Sequence, residues 1–550
     1  MATPHPDSIN PTVVFGPRMA LSERLPNDQV LMAPLSDEWN DFGFRTRVDV
    51  RVHLAERSEP FSTSAFIGFI TENEKAPNGI RPLVNQIKNA GGNLVEASSS
   101  LPFFTMLPDM QAYRDIVQAL GAHRAQAVLA AMRDVVAAQD TTPKPKWLGA
   151  AVRTEVFSRS FMRNSESYFA YKNAAAILRG LAQEEFRNVS RDVSITFQLD
   201  GRPNPHALSF RFDHKAHLPK RIAVVIGENG VGKSQTLGRI AKAAINGESS
   251  LVDGETNQRV LLNRLLAFAP TNEAGSVFPT DRRKRSRIWY RRFALNRTQS
   301  GRKSEVADLV LQVARSTESI GTNSRWELLI SALKGIERWE EICLPTVNNI
   351  AAPVVLATLL RGSEQMLLDR FNSIDVDAEP VRVIGSKRFK LSSGEMSFLR
   401  FAAQASAHVE NGTLLLLDEP ETHLHPSFIS QFVALLDQLL ERTGSAAIIA
   451  THSVYFVREV FQDQVIVLRK DENGFVIPET PALRTFGADV GAISYFVFGE
   501  DTASRLATTV EKRLRRRYES WDTLFDAYKD KLSLEMLGDL RASMEGSEEP

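Results

Sequence analysis

Gly227-Glu228-Asn229-Gly230-Val231-Gly232-Lys233-Ser234 follows an unbroken apolar run, Ile222 to Ile226, and leads into a helical pattern from Gln235 to Ala243. A buried strand that ends in a glycine turn and opens a helix is the setting in which this spacing holds phosphate. Glycines let backbone N–H groups curl around a β-phosphate, where side chains would clash, and the helix N-terminus adds partial positive charge. Lys233 can bridge the β- and γ-phosphates, and the Ser234 hydroxyl can hold Mg²⁺. Glu228, Asn229, Gly230, Val231 and Gln235 complete the candidate cradle. The chemistry asks for ATP and Mg²⁺ as cofactors.

Three further segments give that loop a context. Thr413 is followed by four leucines, Leu414 to Leu417, and then Asp418-Glu419-Pro420. The leucines predict a buried strand with carboxylates at its exit, Asp418 for Mg²⁺ through its water shell and Glu419 as general base toward water. Acids often cap strands, so the pair gains weight only beside a phosphate loop. Leu391-Ser392-Ser393-Gly394-Glu395 precedes a helical pattern, Met396 to His408, where Ser392 and Gly394 offer a hydroxyl and free N–H groups to an anion. The plainer reading of that stretch is a helix cap. In Ala446 to Ser453, His452 ends an apolar strand, which suits a γ-phosphate sensor, although a lone histidine is more often structural.

These four motifs, in this order and with the Ser392 segment ahead of Asp418-Glu419 at the interval the family requires, resemble the ABC/SMC branch of P-loop ATPases. Glu421-Thr422-His423-Leu424-His425-Pro426, directly after Pro420, is similar to the overcoming-lysogenisation-defect group of bacterial AAA-type ATPases. Thr485 to Gly499 looks similar to the C-terminal segment of ATPases of the Septu and retron-associated defence systems, whose family partner is an HNH nuclease. The resemblance covers roughly 191–500. It implies an α/β fold, an ABC-type P-loop ATPase head with a mixed sheet, helices and a helical subdomain, to which the strand and helix patterns of the N-terminal residues add an α/β accessory region. It also implies a head-to-tail ATP sandwich, in which Lys233 and Glu419 of one subunit face Ser392, Ser393 and Gly394 of another, with higher homo-oligomers open. Two positions depart from the pattern. Gly394-Glu395 replaces the commoner Gly-Gln, which the family tolerates. The usual glutamine after the second core strand is missing from Phe268-Ala-Pro-Thr-Asn272, where Asn272 is the available substitute.

At 550 residues the chain is too long for one core. The expected division is a flexible arm at 1–40, an accessory α/β region at 41–190, the ATPase domain at 191–500 with a helical or lid subdomain at about 280–390, and a helical tail at 501–550. Val48, Val50, Val52 and Leu54 alternate as a half-buried strand does, Ala65 to Ile70 reads as another, and Met110 to Gln139 reads as helix. Asp140 to Trp147 reads as a linker. Val193–Leu199 and Ala207–Phe212 read as a hairpin. Sixty-six basic residues balance 66 acidic ones, so any nucleic-acid surface must be local. Cys343, the single cysteine, permits no internal disulfide, and no apolar run reaches the roughly 18 residues of a membrane span. With no signal-peptide layout at the N-terminus, a cytoplasmic protein without membrane contact is expected.

The interval from Ser234 to Leu391 admits a helical subdomain but not the long arms of chromosome-maintenance ATPases. No Asp-x-Asp strand end of the kind a TOPRIM nuclease needs follows His452. The expected function is therefore a nucleotide-controlled ATPase switch for a separate nuclease effector in bacterial antiviral defence. The alternative is a RecF-like or SMC-like DNA-binding clamp in repair or chromosome maintenance. Arg282 to Lys303 carries ten basic residues and no acid, with Trp289, Tyr290 and Phe293 interleaved. It reads either as a grip on nucleic acid or as a core strand flanked by solvated basic loops. Lys512 to Arg517 reads as the exposed face of a helix.

Overall fold

A computed structural model describes residues 9–35, 44–55, 59–70, 79–97, 101–181, 189–199, 201–213, 218, 220–270, 274–281, 286–295, 306–347, 352–385, 387–422, 424–498, 505–518 and 520–545. At its centre is a seven-stranded sheet in the order Trp289–Ala294, Arg264–Ala269, Leu414–Asp418, Ala446–Thr451, Ile222–Gly227, Val465–Lys470, Val476–Glu479. The first six strands are parallel, and only the last edge pairing is antiparallel. The reason these strands read as continuous apolar runs is visible in the packing. Ile222, Val224, Ile226, Leu415 and Leu417 join one core. Ala223, Val225, Leu414 and Leu416 join the other. A parallel sheet covered on both faces leaves no polar alternation to read.

The two covers differ. On one side the helix Lys233–Asn246 packs with a three-stranded antiparallel sheet of Leu251–Asp253, Asp192–Phe197 and His206–Arg211. On the other lie the helices Val306–Arg315, Arg325–Leu333, Ser393–His408 and Pro426–Thr443. A small four-stranded sheet, Val354–Val355, Ile342–Leu344, Val381–Ile384 and Lys387–Lys390, carries the chain toward Ser392. The phosphate-loop strand, the antiparallel sheet and the helical side together make the ABC-type ATPase fold that the motif order implies. Beyond the head, the helices Arg505–Arg517, Trp521–Tyr528 and Leu534–Glu545 gather around Leu514, Leu524 and Leu540. Lys512, Arg513 and Arg515 to Arg517 are exposed there, as a solvated helix face requires.

The N-terminal region holds its own sheet, ordered Val95–Glu96, Thr12–Phe15, Gln29–Pro34, Arg47–His53, Phe61–Phe69, Phe103–Met106. The expected loose arm at 1–40 is corrected for residues 12–34, which form two inner strands of this sheet. Val30, Leu31, Met32 and Ala33 are fully buried. Val30 and Met32 face the main N-terminal core, and Leu31 joins a satellite cluster with Val14, Ala20 and Leu25. Burial on both faces removed the alternation that marked Val48, Val50 and Val52. The helix expected across Met110 to Gln139 is three helices, Met110–Leu120, Ala122–Ala131 and Val135–Gln139. Gly121 breaks the first junction at φ 79°, and Asp134 caps the last helix through the Val136 and Ala137 amides, both at 2.9 Å. Trp147, expected in a linker, lies in the short helix Lys146–Ala151.

The two regions meet through buried charge. Arg114, fully buried on the helix Met110–Leu120, reaches the Glu410 carboxylate at 3.0 Å. Glu410 lies between the helix Ser393–His408 and the strand Leu414–Asp418. Arg325 donates to the carbonyls of Ser406 and Val409 at 3.0 and 2.8 Å, and Arg264 to that of His408 at 3.1 Å. These cations satisfy the free carbonyls of the helix end. Burial pushes the Glu410 carboxyl up, but Arg114, Arg264 and Arg325 outweigh it and hold the pKa at about 2, below the ordinary 4.5. A carboxylate held low stabilises the fold fully above its unfolded pKa and loses that contribution as pH falls from 4.5 toward 2.

Removing one member of a buried pair costs about 3–5 kcal/mol, because the other charge stays desolvated. Arg114→Ala should lower unfolding stability by about that amount near neutral pH. Its loss should shrink as pH approaches the acid limb, which denaturant titrations at several pH values would show.

Candidate functional site

The phosphate loop is shaped by contacts that only glycine tolerates. A Cβ on Gly227 would meet the Leu468 carbonyl oxygen of the neighbouring strand at 2.4 Å. Gly232 sits at φ 103°, a left-handed conformation, and a Cβ there would meet Leu199 at 2.8 Å. Leu199 follows the strand Asp192–Phe197, and Arg202 in the next turn donates to the Gly230 carbonyl. The antiparallel hairpin thus props the loop from outside. The helix Lys233–Asn246 starts without a side-chain cap, so its first N–H groups point into the loop as anion donors. Glu228, Asn229, Gly230 and Gln235 are exposed, Ser234 is half-buried and Val231 is buried. Lys233 is buried, with Nζ donating to the carbonyls of Gly227 and Glu228 at 2.9 Å each.

Strand register delivers the rest. Ile226 lies opposite Thr451, and Ala450 opposite Asp418, so the carboxyl ends of three adjacent strands finish at one sheet edge. Ligands of open α/β sheets bind at that edge. Asp418 is fully buried. Glu419 turns out of the strand at φ 43°, strained for a non-glycine residue, with its N–H donating to Ala450 at 2.8 Å. Its carboxylate lies 2.7 Å from His452 Nε2. Burial lowers the Lys233 pKa from its ordinary value, while Glu419, Glu421 and Asp418 oppose that shift. Lysine, two acids and histidine, read from separate motifs, therefore share one electrostatic site.

Glu421 belongs there as well, although in the sequence it stands only within the family string that follows Pro420. Its Oε1 accepts from Thr451 Oγ1 at 2.6 Å and from the His452 N–H at 2.9 Å, tying the two strand exits together. The signal was its position two residues beyond Glu419, where a turn brings a side chain back to the same edge. Asp418 and Ser234 are hard oxygen donors, which fit Mg²⁺, an ion commonly held by one or two carboxylates together with substrate phosphates. Among the described residues no group of three His, Cys, Asp or Glu forms an all-protein metal cage.

The Ser392 segment does not join this cluster. Ser392 Oγ accepts from the Glu395 N–H at 3.2 Å, and Glu395 accepts in return from the Ser392 N–H at 2.8 Å. Arg382 grips Glu395 and reaches Glu341 at 3.2 Å. Glutamate at 395 thus closes a capping box and holds the signature turn to the small sheet. Ser392 and Ser393 are exposed, whereas Gly394 is buried.

Of the two readings open for Arg282 to Lys303, the packing of residues 286–295 favours the core strand, Trp289–Ala294. Tyr290 is buried, with its hydroxyl donating to Pro279 at 2.9 Å. Phe293 stacks on Phe268 and His408, with centroids at 5.1 and 5.3 Å, and Trp289 lies under Arg264 at 4.6 Å. These rings serve the edge of the core. Asn272, His423, and residues 282–285 and 296–305 lie outside the described residues.

Residues 358–458 match a protein-family model described as "AAA domain, putative AbiEii toxin, Type IV TA system". Across 527 residues the chain is 23% identical to "Protein ea59" of Escherichia phage lambda, covering 91% of this chain and 92% of that protein. A 75-residue stretch is 33% identical to "UvrABC system protein A" of Chlamydia muridarum, 14% of this chain and 4% of that protein. Among solved structures, cbiO1 from Clostridium perfringens, part of the ABC transporter complex cbiONQ, is 16% identical with a TM-score of 0.28, covering 60% of this chain and 98% of that chain. The match over 358–458 agrees with the sheet order and phosphate loop on an AAA/ABC-type P-loop ATPase head. Among the described residues no helix is long and apolar enough to cross a membrane.

Gly227→Ala tests the closest contact in the loop. Forcing a methyl against a backbone carbonyl should cost about 1–3 kcal/mol. A lowered thermal unfolding midpoint would register it, and an unchanged midpoint would mean the strands separate freely at Leu468.

Proposed function

We propose that this chain binds ATP with Mg²⁺ at the phosphate loop and hydrolyses it with Glu419 as general base. The observation that carries the reading is the Glu419–His452 contact at 2.7 Å beside Lys233, built from three separate strand exits. His452 orients the Glu419 carboxylate toward a water and senses the γ-phosphate, while the backbone at φ 43° fixes the direction of approach. Lys233 exchanges its two loop carbonyls for β- and γ-phosphate oxygens. Ser234 and Asp418 would hold Mg²⁺, which when bound neutralises charge on the transferring phosphate.

Ser392, Ser393 and Gly394 complete the site in trans, with a second copy arranged head to tail. What supports this is the exposure of Ser392 and Ser393, together with the hydrogen bonds of Ser392, which stay within the Glu395–Arg382 cap and do not reach the carboxylate cluster. On this basis the chain works as a cytoplasmic switch, in which ATP holds two heads together and hydrolysis releases a separate nuclease effector during antiviral defence. The support for that finer reading is the string from Asp418 to Pro426 and the Thr485–Gly499 stretch. The clamp reading keeps only the basic residues of 282–303, since their aromatic partners are packed inside.

Glu419→Gln should retain ATP binding, accumulate an ATP-bound dimer on size exclusion, and lose about 10²–10⁴-fold in turnover. Turnover at the wild-type rate would sink the base assignment. Lys233→Ala should abolish ATP binding by equilibrium titration. Glu421→Ala removes two hydrogen bonds to the His452 loop, each worth about 1.5–3 kcal/mol when one partner is charged. Turnover should then fall tenfold or more with ATP affinity little changed. Salt-sensitive binding to duplex DNA, with no nuclease co-purifying from the native cell, would favour the clamp.

A further inference from the structure

Arg382 stands on an inner strand of the small sheet, in register with Ile342 on one side and Phe389 on the other. Its guanidinium is divided between two carboxylates. One nitrogen donates to Glu341 at 3.2 Å, and the other to Glu395 and to the Glu337 carbonyl at 3.4 Å. Glu341 is held from its other side by Arg338, at 2.9 and 2.5 Å. The result is an alternating row, Arg338, Glu341, Arg382, Glu395, of two cations and two anions. The row runs inward. The Arg338 side chain is 53% exposed, whereas those of Arg382 and Glu395 are 13% and 16% exposed. A charge stripped of its partner at that inner end stays poorly solvated.

At that end the Ser392 hydroxyl is already committed. It donates its one proton to Glu395 Oε2 at 2.8 Å and accepts from the Glu395 N–H at 3.2 Å. The Ser392 N–H goes to the same carboxylate oxygen, also at 2.8 Å. Oε1 of that carboxylate belongs instead to Arg382. The two oxygens of Glu395 thus have different holders. Its charge lies at the N-terminal end of the helix Ser393–His408, where a helix offers its donors to an anion. Burial would raise the Glu395 carboxyl, but the two bonds from Ser392 and then Arg382 outweigh it and hold the group below its ordinary value. A glutamate here occupies the hydroxyl and repels a second anion. A glutamine would keep the cap without the charge.

We propose that Arg382 is a positioning residue for the nucleotide contact made in trans: it retains Glu395 through Oε1 while Oε2 gives up the Ser392 hydroxyl to the γ-phosphate held by a second copy. This rests on the head-to-tail reading given above. The exchange swaps one anionic acceptor for another, and the proton stays on Ser392 Oγ throughout. Arg382 also cancels the carboxylate charge that would otherwise meet the triphosphate, since like charges brought together across an interface oppose binding. Arg338, acting through Glu341, fixes the direction from which Arg382 reaches. The guanidinium fork suits the task, because its separate N–H groups serve Glu341 and Glu395 at once. How readily two heads close is then set by the small sheet as well as by the phosphate loop.

Sedimentation velocity of the full chain with Mg²⁺ and the slowly hydrolysed analogue adenylyl imidodiphosphate tests it. Arg382→Met should weaken nucleotide-driven dimerisation at least about tenfold, because Glu395 then faces the triphosphate uncompensated. Glu395→Gln should dimerise at least as well as the unaltered chain. The decisive variant joins Arg382→Met to Glu395→Gln. It should return to within about threefold of Glu395→Gln alone, since no charge is left to neutralise. If the double variant stays as weak as Arg382→Met, Arg382 only braces the fold and the proposal is overturned. Dimerisation of Arg382→Met at the unaltered strength overturns it too. Arg382→Lys keeps the charge without the fork and should dimerise better than Arg382→Met, which gives a reading even if the methionine variant unfolds. An unaltered chain that binds the analogue and stays monomeric overturns the head-to-tail reading, and this proposal with it.

Discussion

Glu410 sits where the helix Ser393–His408 turns into the strand Leu414–Asp418, and three guanidinium groups converge on it from different parts of the chain. Arg114 comes from the N-terminal region at 3.0 Å and Arg325 from the helical side at 4.0 Å. Arg264, from the neighbouring core strand, acts through its charge and holds the helix end at His408. Without the carboxylate these cations would repel one another in a low-dielectric seam, and without the cations the carboxylate would be desolvated alone. The turn is further tied by Thr413 and Ser445, whose hydroxyls both donate to the Glu410 carbonyl, at 2.6 and 3.1 Å. The position of Asp418, eight residues along, is inherited from that knot. So is the angle at which the signature helix leaves the sheet.

Much of the head was legible because its chemistry is local. A phosphate loop needs glycine where a strand carbonyl lies 2.4 Å from a would-be Cβ, so the motif at 227–234 states its own fold. Leu414 to Leu417 announced a strand covered on both sides, and Asp418-Glu419 its exit. What the sequence could not show was which exits lie side by side, since that is set by register across strands far apart in the chain. Glu421 was quoted only as part of a family string, and its role emerges from two bonds to residues some thirty positions away.

The misreadings have physical causes too. Residues 12–34 looked unstructured because Pro17, Pro26 and Pro34 interrupt them and because burial on both faces erased alternation. Tyr290 and Phe293 left two readings open, a stacking surface or a core strand, because they stand among arginines. The structure turns those rings toward the core, Tyr290 onto the Pro279 carbonyl and Phe293 onto Phe268 and His408.

Lys233 supplies a last consequence. Its ammonium is already bound to two carbonyls of its own loop. Any phosphate that enters must outcompete an internal ligand present at fixed, high effective concentration. Such a loop discounts weak visitors: a single phosphate offers little in exchange, whereas a triphosphate with its metal replaces both bonds and adds the helix N–H groups. On the proposed reading the loop would act as a threshold element, in which self-occupancy of Lys233 disfavours inorganic phosphate before any selectivity for the base begins.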